Sequence, residues 1–357
     1  MDVGLTPEQR LLQQSARDLF AGVWSLGGAR AALDGAAIPD LRPALAGSGM
    51  LSLLSDGAEV LDLALVAEQA GRVLLPSPLI ATAARAVLLL EGAVAARGSG
   101  AARAASLLAE VTAGALPVCV LDGELRLDPE LGTVSGRCSA AIDGAVARLA
   151  LAKVATDDGQ LLLAIPVDEH VRRAPRTPID PTRSMAVLTL DGAPVEMVLD
   201  GDTVTPLWER ALHVATVVLA AEGLGTVARC VQMGVAYARE RHAFGRAIGS
   251  FQAIKHALVD AWVQEEMLRS LVWLAAWRAD ADPGALALHA NAAKALAADT
   301  VELAAETLIQ VHGGIGFTWE HNAHLLWRRA KVDRLLLGDA AGARDTVARL
   351  ALTAVAR

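Results

Sequence analysis

The sequence predicts an α+β protein that is mostly α. It has an N-terminal helical domain over residues 1–113, a middle antiparallel β domain over 114–204 and a C-terminal helical bundle over 205–357. Three observations predict this. Apolar residues make up 54% of the chain but aromatics only 3%, so the core must be built from Ala, Leu and Val, and Ala and Leu are strong helix formers. Between about Leu116 and Leu199 the pattern changes to short apolar runs separated by Asp-Gly pairs, which are turn signals. From Trp208 the apolar residues recur at helical spacing, with no proline before Pro283.

In the first domain, Thr6-Pro7-Glu8-Gln9 reads as a helix start: Thr6 as N-cap, Pro7 in the first turn, and Gln9 placed to reach back to the cap. Leu11, Leu12, Ala16 and Phe20 mark the buried face of that helix. Residues 38–54 give a short helix and an apolar segment. Residues 61–73 form a further helix ended by Gly71 and then Pro76, and Ser77-Pro78-Leu79 introduces another that runs to Leu90.

In the middle domain the strands lie over 116–121, 148–154, 161–166 and 186–190. Asp122-Gly123, Asp143-Gly144, Asp158-Gly159 and Asp191-Gly192 are read as the turns that close hairpins between them.

In the third domain a helix over 208–241 breaks at Phe244-Gly245, where Gly245 and Gly249 can take backbone angles that other residues avoid. Ser250 is expected to cap a helix that starts at Phe251 and runs to Ala279. Asp282-Pro283-Gly284 then turns the chain into a helix over 285–311, stopped by Gly313-Gly314. Helices over 320–337 and 339–356, with Gly338 between them, complete an antiparallel bundle.

A net charge of -8 argues against a nucleic-acid surface. Cys119, Cys138 and Cys230 are scattered without metal-ligand spacing, which fits a reducing cytoplasm. No leader is read at Met1, and no run of about 18 uninterrupted apolar residues suggests a membrane span. The expectation is a cytoplasmic protein with no metal, nucleic-acid or membrane partner. One corner is locally basic: Arg239, Arg241, His242, Arg246 and Lys255 surround the break before the helix at Phe251. Such a corner suits an anionic group such as a diphosphate, while a solvated helix hairpin has the same composition.

Residues 241–256, R-x-x-F-G-x-x-I-G-x-F-Q-x-I-K-H, resemble the flavin-contacting motif of the acyl-CoA dehydrogenase family. Residues 310–316 (QVHGGIG), followed by Phe317-Thr318-Trp319-Glu320-His321, resemble that family's second C-terminal signature. The phrase GRVLLPSPL over 71–79 resembles a stretch in the N-terminal domain of many bacterial members. The resemblance implies the family's helix–sheet–helix fold, FAD as cofactor, α,β-dehydrogenation of an acyl-CoA thioester, and an acceptor resembling electron-transfer flavoprotein. It also implies that Arg241, Phe244 and Gln252 contact the adenine and diphosphate end of FAD. Gln310, Gly313 and Gly314 would line the same end of a flavin held mainly by a neighbouring subunit.

The chain departs from the family where the ring and the base are expected. Neither the Thr-Glu-Pro-x-x-Gly-Ser-Asp-like stretch nor the Trp-Ile-Thr/Ser-like strand of the β domain is present. The commonest position of the catalytic carboxylate is Leu337, just before Gly338, and the minority position is Ala215. Glu222, about two helical turns beyond Ala215, is the carboxylate that remains. Burying an ionised Glu among apolar residues is costly, which suits a base; pairing with Arg229 or another basic group is the alternative. Similar Ala-Ala-Glu phrases occur in actinobacterial relatives, some of which work as unlike-subunit pairs on bulky or fatty acyl-CoAs. The resemblance thus implies a heteromer of two copies of each chain, completed by a second acyl-CoA dehydrogenase-like subunit. Two rivals are a non-catalytic subunit that completes its partner's flavin site and a flavin-free helical interaction protein. His213, His312, His321 and His324 are read as polar packing or helix-end residues.

Overall fold

The computed structural model describes residues 4–176 and 178–355, which fold as two compact units. The first takes the chain up to Ile38, Val60–Leu75 and everything from Thr216 onward; the second takes Pro39–Glu59 and Pro76–Ala215. The fold is that of the mostly helical α+β class, with its strands confined to the middle of the chain.

In the first unit, α1 (Pro7–Val23) begins as the sequence requires. The Thr6 side chain accepts from the Gln9 N–H while the Gln9 side chain accepts from the Thr6 N–H, which closes a capping box. α2 (Leu26–Leu33) follows, capped by Ser25, and has no clear signal in the sequence. α4 (Val60–Val73) packs on α1, and the backbone N–H of Val60 is taken by the Asp280 carboxylate.

The long helices come next: α7 (Val204–Glu240, of which Thr216 onward belongs here), α8 (Gln252–Ala281) and α9 (Leu286–His312). α10 (Ala323–Asp333) and α11 (Ala340–Val355) both pack on α9, as does α8. α10 is shorter at both ends than the 320–337 expected, because the chain around His321 and Leu337 turns instead of coiling. The expected last residue of the final helix, Ala356, lies outside the described residues.

α4 and α7 cross at backbone contact. A Cβ on Gly71 would lie 1.8 Å from the Glu222 carbonyl oxygen, and one on Gly225 would lie 1.8 Å from that of Glu68. The Thr226 hydroxyl sits in the same crossing, within reach of the carbonyls of Gly71 and Glu222. By length and composition α7 is apolar enough to cross a membrane, but 89% of its most apolar window is buried inside the protein. Its apolarity serves a helix wrapped by other elements.

The second unit is a sandwich of two four-stranded sheets. One runs β1 (Val118–Leu121), β4 (Leu149–Thr156), β5 (Gly159–Pro166), β8 (Glu196–Asp200); the other runs β2 (Glu124–Asp128), β3 (Thr133–Ile142), β7 (Met185–Pro194), β6 (Val171–Arg176). Residues from both, including Cys119, Val134, Cys138, Ala152, Ile165 and Leu188, form one core. All pairings are antiparallel except β1 with β4, which is parallel.

Of the four Asp-Gly pairs read as hairpin turns, only Asp158-Gly159 closes one, between β4 and β5. Asp122-Gly123 and Asp143-Gly144 carry the chain from one sheet to the other, and Asp191-Gly192 lies inside β7. The dipeptide supplies a positive φ at three of the four places, Asp143 and Gly192 at +60° and Gly159 at +134°, while Asp122-Gly123 makes its crossing without one. Which role it takes depends on the strands that happen to flank it.

Helices α3 (Arg42–Gly47), α5 (Val87–Ala95) and α6 (Ala101–Thr112) belong to this unit. α5 is preceded by a wide π-helical segment, Leu79–Ala86. From that segment Arg85, buried, reaches the carboxylate of Asp122 and stacks over Trp208 with 5.1 Å to the ring centroid.

Candidate functional site

After α7 ends at Glu240, the chain makes the smallest hairpin of the fold. β9 (His242–Ala243) pairs with β10 (Arg246–Ala247) around Phe244-Gly245. The two turn residues have φ of +54° and +79°, as a two-residue turn that matches strand twist demands. Glycine takes this angle freely, but Phe244 does not, and its side chain is 96% exposed. A left-handed aromatic residue presented to solvent costs stability twice, the pattern expected of a contact residue held ready for a ligand.

α8 does not start as the sequence suggested. Ser250 belongs to a 3-10 turn, Ile248–Ser250, and its hydroxyl donates to the Ala247 carbonyl at 2.7 Å. Phe251 takes the N-cap position, with no side-chain bond to the helix. Ser250 fails as a cap because the hairpin's return strand delivers the chain in a turn that engages its hydroxyl first. Gly249 also serves differently: a Cβ there would lie 2.8 Å from the Ala238 carbonyl, so its role is close approach and not a special angle.

The two sequence motifs meet in space. Ala238, Leu258 and Val311 form a small core, with Val235, Tyr237, Ile248 and Ile254 packed against it. The Tyr237 ring stacks on His312 at 4.1 Å between centroids. α9 ends at His312, where Gly313 (φ +61°) stops it. Gly314 has no such angle and nothing near its missing Cβ, so the fold itself does not require glycine there. It keeps the backbone open to close approach. Arg241, Gln252 and Gln310 are exposed, and their side chains have no hydrogen-bond or ion-pair partner among the described residues. Tyr237 escaped the sequence reading, although it is the single tyrosine and lies about one helical turn before Arg241.

Behind this surface lies a set of histidines. His312 Nδ1 donates to the Leu308 carbonyl at 2.8 Å, and its other face meets the His321 ring at 4.3 Å. The His321 carbonyl accepts from Arg30 at 2.7 Å, and His324 Nδ1 accepts from Arg328 at 3.2 Å. Trp319 stacks on His324 and donates to Asp34 at 2.8 Å. Burial lowers the pKa of all three histidines; His312 and Arg30 add to this at His321, and Arg30 adds to it at His324.

The consequence for stability has a definite sign. An unfolded histidine takes up its proton near pH 6.5, whereas these take it up only at lower pH when folded. Their contribution is therefore intact above about pH 6.5 and is lost as pH falls through the folded values. The thermal midpoint should decline from pH 7 toward pH 5, less steeply in His321→Asn. A midpoint that holds level over that range would remove the cluster from the pH response.

The candidate base is placed differently from its neighbours. Glu222 is fully buried, and its carboxylate lies 3.8 Å from Nη1 of Arg329, also fully buried. Arg229, the partner considered from sequence, instead donates to Gln232 at 3.2 Å. Ala215 is buried within α7, and Leu337 holds a left-handed φ of +55° beside Gly338 at +94°.

Comparison with known proteins gives a consistent picture. The family described as Acyl-CoA dehydrogenase, C-terminal domain, matches residues 206–352. The chain is 34% identical to acyl-CoA dehydrogenase IpdE2 of Mycobacterium tuberculosis, over 79% of this chain and 74% of that protein. It is 31% identical to acyl-CoA dehydrogenase FadE34 of the same organism, over 89% of this chain but only 45% of FadE34, so it spans under half of that relative. Among solved structures, the ChsE4-ChsE5 complex from Mycobacterium tuberculosis is similar at a TM-score of 0.85 and 27% identity, covering 98% of both chains. The Tcur3481-Tcur3483 steroid ACAD G363A variant is similar at a TM-score of 0.83 and 26% identity, covering 98% of this chain and 99% of that one.

Proposed function

Because the chain belongs to the acyl-CoA dehydrogenase family, we propose that it takes part in FAD-dependent α,β-dehydrogenation of an acyl-CoA thioester as one subunit of a heteromer. The observation that carries this reading is an imbalance. Donors suited to the outer end of FAD stand exposed and uncommitted, while the two usual base positions hold Ala215 and Leu337.

The residues fit the group. Arg241 offers a fork of donors to phosphate oxygens, and Gln252 and Gln310 add amide donors. Phe244 offers an apolar face for the adenine, and Gly313-Gly314 admits close approach of the backbone. FAD, when bound, supplies the acceptor for the β hydrogen. The α proton must go to a base. Within this chain the candidate is Glu222. Its burial against Arg329 suits a structural pair as well, and in that case the base belongs to the second subunit. A related second subunit would also supply the ring-binding segments that this β domain lacks. The name of the ChsE4-ChsE5 complex supports pairing of unlike chains, and the steroid neighbour supports a bulky acyl group. An acceptor like electron-transfer flavoprotein and a cytoplasmic setting complete the reading.

Mass measurement and flavin quantitation test it. Produced alone, the chain should be flavin-poor and inactive. Produced with a motif-complete relative, it should form a complex of two copies of each chain, carry fewer flavins than subunits and reduce an acceptor when given acyl-CoA. In that complex, Arg241→Ala should weaken flavin retention by about 1.5–3 kcal/mol, the range for a hydrogen bond to a charged group. A homotetramer with one FAD per chain and full activity would overturn the proposal.

A further inference from the structure

The β2-β3-β7-β6 sheet of the second unit carries an arginine-lined groove of about 480 Å³ that the proposed chemistry does not use. Arg137 on β3 stands opposite Thr189 on β7, and Thr189 stands opposite Arg172 on β6. Arg137 and Arg172 are thus in register two strands apart, roughly 10 Å at the usual strand spacing. Arg176 lies on the same face of β6 as Arg172, because side chains alternate along a strand. All three are exposed, and all three line the groove.

None of the three has an ion-pair partner among the described residues. Glu124 faces Arg137 across β2 without pairing to it. Elsewhere in this chain of net charge -8, Arg42, Arg85, Arg103, Arg269, Arg278, Arg334 and Arg344 hold carboxylates. Arg173, between the two on β6, also lines the groove, but its guanidinium donates to the carbonyls of Ala145 and Ala147. It pins the strand and so holds its neighbours in place.

We infer that this groove is a docking site for an acidic segment of a partner protein, one that presents several carboxylates along an extended chain. Three features select that chemistry. The positive charge is spread over two strand widths instead of converging on one point, as it would around a single phosphate. The floor is Ala174, Pro175, Val187 and Thr189, with no aromatic ring on which a nucleotide base would stack. β6 is the last strand of its sheet, so a peptide can lie along it without displacing another strand. Arginine forks grip carboxylates bidentately, and a local basic patch on an acidic protein steers an acidic partner to one place.

The test uses the full-length chain and a ten-residue peptide of alternating Glu and Thr, with a peptide of alternating Gln and Thr as control. The acidic peptide should bind at low salt and weaken steeply as salt rises, while the Gln peptide should not bind. Arg172→Ser with Arg176→Ser should raise the dissociation constant roughly tenfold or more with the thermal midpoint unchanged, since both side chains are exposed. Inorganic triphosphate is the competing probe. If it binds through the same arginines and the peptide binds no better, the groove is a phosphate site and the inference is wrong. Absence of peptide binding, or binding unaffected by the double substitution, also overturns it.

Discussion

Glu222→Gln is expected to destabilise the protein by about 3–5 kcal/mol, the cost of removing one partner from a buried ion pair. The carboxylate lies 3.8 Å from Arg329 Nη1, and neither side chain reaches solvent. Replacing the acid with an amide takes the Glu222 charge away from a guanidinium in the interior. The loss should appear as a lower denaturant midpoint with an unchanged slope. Replacing both partners by apolar residues, Glu222→Leu with Arg329→Met, should recover much of it, because neither charge is then buried. The same single variant decides the catalytic question in the heteromeric enzyme. If Glu222 is the base, the Glu222→Gln protein that remains folded and flavin-loaded has no turnover. Wild-type stability together with wild-type turnover would exclude both roles.

Gly71→Ala and Gly225→Ala should each cost about 3 kcal/mol or more, at or above the upper end of the usual range for overpacking. An added methyl carbon would meet a backbone oxygen at 1.8 Å in each case: that of Glu222 for Gly71 and that of Glu68 for Gly225. A clash with a flexible side chain can be relieved by a rotamer change; a clash with backbone requires α4 and α7 to part. Parting them would loosen the segment that carries Glu222, so the effect extends to the candidate site. Gly22→Ala is the control. It lies in α1 with nothing near the new atom, and should be neutral or stabilising by up to about 1 kcal/mol. Chemical denaturation of the three variants settles the point; an unaltered midpoint for Gly71→Ala would mean the crossing is looser than described.

Much of this protein is written locally. The capping box at Thr6 and Gln9, the helix stop at Gly313 and the long apolar helices around Cys230 and Ala290 depend on residues a few positions apart, so the sequence alone determined them. The two C-terminal motifs were legible for the same reason: each is a contiguous run, with Gly245 and Gly313 taking the left-handed angles beside Phe244 and at the end of α9. What tertiary structure decided is every feature whose partner is far along the chain. Asp-Gly supplies a positive φ at Asp143, Gly159 and Gly192 but not at Asp122-Gly123, and only the flanking strands determine whether the result is a hairpin, a crossing between sheets or a kink inside β7. Ser250 has the chemistry of a cap, yet the hairpin before it turned its hydroxyl to Ala247. Glu222 had several basic residues available in sequence, and only the packing of α10 brought Arg329 to it in place of Arg229. Arg137 and Arg172 are separated by a loop and two strands, and the sheet register alone places them over one groove. Local backbone preference acts over one turn of helix or strand, whereas charge pairing and register are settled only when the core has closed and fixed which elements lie side by side.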